Sequence, residues 1–390
     1  MAKELQPAKL PLSIRLGYSV LELGGNLFFT VIGFFLLFFC TDVIRLDPAL
    51  AGTALLIGKL WDAVTDPAVG FLSDRTRTRF GRRKPFILSG AVLIFIFMVV
   101  MFVNPHIDDQ WLLFTWTIIV FCLLNTAYTL LYIPYKSLLP ELTTDFNERT
   151  TLNSFVTVFA IFGTVIGALA VDPLVNAFPP DTGWPLMGGV MGFIMAVTAI
   201  IMLVVVEEPP IRNVKKKVRI LVSYLQVIGM KEFLLIFLPW TLHVTGVTFI
   251  QGTLKHYFKW IYGNEDFFGL ALLFLLIGSA AAVPVWLMIS RKKGKKFTYN
   301  GGMLLFAAAV IVFFFLGEPL GVYFSFVIMF VAGLGFSTQY TMPWAIVPDV
   351  VELDYANTGL RREGVFYGLM TFAQKIGQAL AFWIAGFILK

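Results

Sequence analysis

Apolar runs alternate with short polar segments from one end of the chain to the other, and the runs are long. Met187 to Val206 carries no charged residue. About 20 such residues in a helix rise about 30 Å, the thickness of a bilayer's hydrocarbon core. In lipid an open strand or loop leaves its amides and carbonyls without partners, so each run is expected to be a helix. The pattern yields eleven spans: 14–40, 48–73, 85–104, 111–137, 152–172, 185–206, 231–252, 266–290, 297–316, 320–347 and 363–389. The expected fold class is all-α, a polytopic membrane protein with the lipid bilayer as its solvent.

The longest polar interruption, Glu207 to Lys231, holds Pro209, Pro210 and Lys215-Lys216-Lys217. It separates six spans (residues 1–206) from five (residues 231–390), with 207–230 as a cytoplasmic linker. A weak internal echo relates the two parts. Asp66-Pro67 is followed, six residues after the proline, by Ser73 and then a basic run from Arg75 to Lys84. Val283-Pro284 is followed at the same distance by Ser290 and the run Arg291 to Lys296. The second copy lacks the aspartates. Two parallel repeats with a long linker resemble the major facilitator plan of two six-helix bundles, with a substrate near the midplane between them. On that plan the last helix is missing, because the fifth span of the second part ends near Lys390. An eleven-span chain is expected to leave its carboxyl terminus outside.

Composition supports the class. Apolar residues make up 58% of the 390 and charged residues 14%, against about 25% charged in a soluble domain. The net charge of +6 is unevenly placed. Counting from a cytoplasmic amino terminus, the inside segments hold Arg75 to Lys84, Arg212 to Arg219, Arg291 to Lys296, and the pair Arg361 and Arg362. The outside segments hold Arg45, Lys255 and Lys259. This positive-inside bias sets the orientation and accounts for the basic residues, so no nucleic-acid partner is expected. Cys40 and Cys122 lie in or at the ends of spans without CxxC spacing, so neither a disulfide framework nor a cysteine metal site is indicated. His106 and His256 fall in outside segments and carry no expected role. The first apolar run is too long for the core of a signal peptide and is expected to remain as a membrane helix. The expected protein is a monomer in the cell inner membrane, with no cofactor.

Ionisable residues within spans are costly and by default mark an ion or substrate path. Five stand out: Glu22, Lys59, Asp62, Asp66 and Lys375. Lys59, Asp62 and Asp66 lie three and four residues apart, on one helix face. Three carboxylates against two ammonium groups leave a formal charge of −1, which one monovalent cation or one proton neutralises. Two close carboxylates in a low dielectric repel each other and so hold a proton or attract a metal ion, with Na+ at Asp62 and Asp66 as the metal expectation. The structural alternative is a fixed ion pair that only packs the helices. For Lys375, snorkelling to an interface is the competing reading; a position about twelve residues into its span argues against it.

The run Trp61 to Phe86, WDAVTDPAVGFLSDRTRTRFGRRKPF, resembles the signature of the glycoside–pentoside–hexuronide:cation symporter family, the melibiose-permease type within the major facilitator superfamily. The stretches CTDVIRL (Cys40 to Leu46), YTLLYIPYKSLLPELT (Tyr128 to Thr143) and VPDVVELDYANTGLRREG (Val347 to Gly364) agree with it. The similarity covers essentially the whole chain. It implies a cation-coupled symporter that works by alternating access, with Na+ or H+ as coupling ion and a small-molecule substrate. It implies a cation site of Asp62, Asp66 and Thr129, with Asp62 also adjoining the sugar and Tyr128 beside the site. Lys59 stands one turn away, and Lys375 joins the cation and sugar sites. Tyr340 stands where melibiose permease has a tryptophan and keeps an aromatic wall. The two carboxylates that grip sugar in melibiose permease are Asn26 and Tyr132 here, although Glu22 lies one turn before Asn26. Carboxylates accept several hydroxyl hydrogen bonds at once, so this exchange loosens the expectation of a simple galactoside. Some animal members carry lysophospholipids with sodium, which makes an amphiphile the alternative substrate. Asp74, Arg82 and Arg83 fit the facilitator loop between the second and third helices. There they are expected to help close the inside gate, with Asp74 near the amino terminus of the eleventh helix.

Trp240, His243, Gln251, Gln339 and Trp344 are more often packing or interfacial residues than ligands. An enzyme is not expected: the chain has no HExxH, no GxxxxGK[ST] and no GxSxG. A non-transporting membrane sensor is the alternative of another class, and such a protein is expected to lose the cation carboxylates that this chain keeps.

Overall fold

A computed structural model describes residues 10–143, 146–208, 220–264, 267–359 and 362–390. Among the described residues the chain is built from α-helices: α1 (Leu12–Val31), α2 (Pro48–Arg75), α3 (Lys84–Met101), α4 (Gln110–Leu142), α5 (Phe146–Leu169), α6 (Val171–Asn176), α7 (Pro180–Val205), α8 (Ile220–Ile228), α9 (Lys231–Ile261), α10 (Phe267–Lys293), α11 (Lys295–Thr358) and α12 (Glu363–Leu389). Nine helical segments among them are long and apolar enough to cross a membrane. The helix α2 falls outside that set because Lys59, Asp62 and Asp66 interrupt its apolar run.

Local chemistry fixes several ends. Asp47 caps α2, its carboxylate accepting from the amides of Ala49 and Leu50 at 3.0 and 3.3 Å, with Pro48 as first helical residue. Asp109 caps α4 through Leu112 N at 2.8 Å. Beyond Val31 the first span continues through two widened π-helical turns, Ile32–Leu36 and Phe39–Val43, and so runs past its expected end at 40.

Two elements are longer than the apolar pattern indicates. The helix α9 continues to Ile261 rather than 252. Lys255 and His256, expected in an outside segment, therefore lie within the helix and are buried, along with Leu254 and Phe258 of the same extension. The 64 residues of α11 join the spans expected at 297–316 and 320–347; Gly321, at φ 82° and ψ 176°, breaks the helical geometry between them.

Compactness divides the chain into two units, residues 1–213 with Phe382–Lys390, and residues 214–381. In the first, α1 packs on α5 and α7, α3 on α4 and α7, and α2 on α4. One of its cores gathers Tyr18, Leu21, Leu131, Tyr135 and Met202. In the second, α10 packs along α11, and α9 touches both. Its core holds Phe233, Trp240, Val347, Phe366 and Met370.

Candidate functional site

The seam between α2 and α4 carries the first cluster. A methyl group at Gly58 would lie 2.1 Å from Phe121 Cδ1, so the two helices approach closely only because that position has no side chain. One turn on, Thr129 Oγ1 of α4 lies 3.0 Å from Asp62 Oδ1 and 2.9 Å from Asp66 Oδ1 of α2. Thr129 and Asp62 are buried and Asp66 half-buried. A hydroxyl has one hydrogen to donate. When Thr129 donates it to one carboxylate, its oxygen faces the other, and that pair of oxygens is attractive only with a proton or a cation between them. Pro67, directly after Asp66, also denies the Ala63 carbonyl its usual helical amide partner, adding an oxygen of the same hard type to α2. Lys59 is buried on this helix, its Nζ 5.9 Å from the ring centres of both Phe29 and Phe121. Among the described residues no group of three or more His, Cys, Asp or Glu side chains converges as in a transition-metal site. The oxygen set here suits a proton or a hard monovalent cation.

A second cluster lies between α1 and α4 in the same unit. Tyr132 donates its phenol hydrogen to Glu22 Oε1 at 2.6 Å, Lys136 Nζ donates to Glu22 Oε2 at 2.8 Å, and Asn26 Nδ2 donates to Glu22 Oε1 at 3.2 Å. The Glu22 side chain is 7% exposed and that of Lys136 41%. Gly25 makes room: a methyl group there would meet Tyr132 Cε2 at 2.6 Å. Aromatic rings join the two clusters in one column. Tyr128 stacks on Phe28 at 4.3 Å and on Tyr132 at 4.9 Å, and Tyr135 stacks on Tyr18 at 4.5 Å. Lys136 Nζ lies over the Tyr132 and Tyr135 rings at 4.9 and 5.6 Å.

Asp62, Asp66 and Thr129 are thus brought together, as are Glu22, Asn26 and Tyr132, with Tyr128 stacked between. Lys136 escaped the sequence reading. It is a sixth ionisable group, and it raises the formal sum of the set from −1 to zero. Its signal was present, a lysine inside the expected span 111–137, four residues after Tyr132 and hence on the same helical face.

At the basic end of the first unit, Arg82 and Arg83 hold three carboxylates. Arg83 Nη2 donates to Asp74 Oδ1 at 2.9 Å, and Arg83 Nη1 lies 3.0 Å from Glu141 Oε2. Arg82 pairs with Glu141 and, through Nε, with Glu208 Oε1 at 3.1 Å. Burial works against the Arg82 charge, but Glu141, Glu208 and Asp74 outweigh it and raise its pKa above the ordinary guanidinium value. The second unit repeats the device. Lys295, in the corresponding basic run, donates to both oxygens of Asp349 at 2.7 Å. Nearby in sequence, Arg362 and Asp354 form a buried pair, with Arg362 Nη1 also donating to Gln226 Oε1 at 2.6 Å.

Elsewhere in the second unit, buried His243 lies 2.7 Å from Gln339 Oε1, among the rings of Trp240, Tyr299 and Phe306. Lys375 is half-buried, the thirteenth of 27 residues of α12. Tyr340 belongs to α11, with its side chain outside the described residues. Arg361 and the linker run from Arg212 to Arg219 also lie outside them.

The family model that matches residues 17–390 is described as MFS/sugar transport protein. The glucuronide carrier protein homolog of Escherichia coli (strain K12) is 28% identical over 391 residues, 96% of this chain and 82% of its own. The sodium-dependent lysophosphatidylcholine symporter 1-A of Danio rerio is 25% identical over 395 residues, 91% of this chain and 73% of its own. The crystal structure of a D-xylose-proton symporter superposes with a TM-score of 0.68 at 16% identity, covering 95% of this chain and 88% of that one, and so shares its fold.

Proposed function

This chain belongs to the MFS/sugar transport protein family, which makes it a multi-pass membrane transporter of major facilitator type and not an enzyme, and we propose that it is a secondary active symporter driven by Na+ or H+. The solute is a small sugar or glycoside, moved across the cell inner membrane by alternating access. The amino terminus is cytoplasmic.

The observation that carries this reading is the single Thr129 hydroxyl held between the Asp62 and Asp66 carboxylates. A cation there, or a proton on one carboxyl, turns a repulsive pair into a satisfied site. The ordered cation site steadies the α2–α4 seam, and the aromatic column beside it receives solute at Asn26, Tyr128 and Tyr132. Lys59 couples the site to its surroundings. Tyr340 and Lys375 of the second unit keep the roles that the resemblance gives them, substrate contact and coupling. Asp74, Arg82 and Arg83 serve as a gate at the basic end.

The test is thermal stability of the purified protein in sodium against choline, at fixed ionic strength and pH. A ligand of the folded state raises its stability by mass action. The expected result is a sodium-specific rise in wild type that Asp66→Asn abolishes, together with loss of gradient-driven uptake. Intact uptake in Asp66→Asn overturns the cation-site assignment. A proton-coupled protein shows no sodium rise, but its uptake follows a pH gradient.

A second reading, sodium-dependent transport of a lysophospholipid, is favoured by the zebrafish relative and by Asn26 and Tyr132 in place of sugar-gripping carboxylates.

A further inference from the structure

We infer that Lys136 receives an anionic group of the transported solute, a carboxylate or a phosphate, and that the solute is an anion rather than a neutral sugar; the inference rests on the symport reading above. Three observations lead to it. The first is the state of Glu22. Its carboxylate already accepts from Asn26, Tyr132 and Lys136, so it has little capacity left to grip the hydroxyls of a neutral sugar.

The second is which member of the pair solvent reaches. The Lys136 side chain is 41% exposed against 7% for Glu22. An ammonium carries three hydrogens, and Glu22 takes one of them. The ammonium also lies 4.9 and 5.6 Å from the ring centres of Tyr132 and Tyr135, and rings of that kind also suit the apolar face of a sugar or the neck of an amphiphile. The accessible charge of the cluster is therefore positive.

The third is charge balance. Within the first unit the carboxylates of Glu22, Asp62 and Asp66 outnumber the ammonium groups of Lys59 and Lys136 by one. That excess of one negative charge disfavours an anionic solute, and a coupling cation removes it. Uncompensated charge is expensive away from water. Each ligand then favours the other without touching it, which is a reciprocal coupling of the kind a symporter needs.

The test uses the purified full chain in sodium and two matched pairs of probes: methyl glucuronide against methyl glucoside, and lysophosphatidate against the monoacylglycerol that lacks its phosphate. Thermal stabilisation is titrated for each. Wild type is expected to respond to the anionic member of one pair at a concentration about tenfold below its partner, the scale of one charge-assisted hydrogen bond. The pair that responds tells a sugar carboxylate from a lipid phosphate. Lys136→Gln is expected to lose the preference and Lys136→Arg to keep it, while both retain the sodium response. Where Lys136→Gln fails to fold, the double variant Glu22→Gln with Lys136→Gln removes the pair without stranding either charge. No anionic preference in wild type, or an undiminished preference in the variant that folds, overturns the proposal. Loss of wild-type cation dependence strikes the symport reading instead, and the two failures are thereby told apart.

Discussion

Replacing Thr129 by valine keeps the shape of the side chain and removes one oxygen, the atom that lies within 3.0 Å of two carboxylates. A lost hydrogen bond to a charged group costs about 1.5–3 kcal/mol. Thr129→Val is therefore expected to weaken sodium binding about tenfold or more, read as a shift in the sodium titration of melting temperature. An unchanged titration would remove Thr129 from the site. The aspartates were legible in the sequence because a four-residue spacing fixes two side chains to one helix face whatever the tertiary fold. Lys136 carried a weaker signal, because a lysine one residue from the expected end of a span at 137 stands where snorkelling termini fall. The helix α4 in fact continues to Leu142, which places Lys136 within it and against Glu22.

Helices meet in the first unit at small residues, and Gly58 in the α2–α4 seam is one case. Gly58→Val is expected to destabilise the protein by about 1–3 kcal/mol, because its branches would enter the Phe121 ring. Gly364→Ala in α12, where nothing lies within 4 Å, is the control and is expected to be neutral or slightly stabilising. Thermal melts of the two variants separate steric from propensity effects; equal melting temperatures would mean the seam is loose. The buried Arg362–Asp354 pair, with side chains 3% and 2% exposed, sets a larger stake. Arg362→Gln strands a buried carboxylate and is expected to cost about 3–5 kcal/mol, visible as a collapse of the melting temperature. The motif around Val347 to Gly364 marked this stretch in the sequence, but not that its arginine and aspartate would be enclosed together. Gln226 of α8 also accepts a hydrogen bond from that arginine, and sequence spacing holds no information on such a meeting.

For the molecule as a whole, the charge carried per transport cycle joins these local readings to a measurable quantity. One cation moved with a neutral solute transfers one elementary charge, worth about 2.3 kcal/mol per 100 mV; one cation moved with a monoanion transfers none. Uptake of methyl glucuronide into proteoliposomes is expected to proceed at the same initial rate with and without an inside-negative potential imposed by valinomycin and potassium. Strong acceleration by the potential would instead fit a neutral solute. The basic-end networks belong to this scale too. Arg82→Gln leaves the cation cluster untouched but removes the contacts to Glu141 and Glu208. It is expected to slow uptake several-fold while the sodium-induced rise in melting temperature stays as in wild type, and loss of both would show the network to be structural.

Hydrophobic run length determined the helices, because lipid tolerates no other open backbone, and charge spacing along single helices determined the carboxylate face of α2. The distribution of proline and basic residues along the chain carries the echo between the two parts, and in each unit a basic run meets a carboxylate, Arg83 with Glu141 and Lys295 with Asp349. What only the tertiary structure decided were the meetings between helices: Thr129 with both aspartates, Lys136 with Glu22, and His243 with Gln339. It also decided how far α4 and α9 extend past their apolar cores. Periodicity specifies which side of a helix is special, but the partner across the seam depends on helix rotation and close approach. Those are set by small residues such as Gly25 and Gly58, whose contribution lies in the side chain they lack.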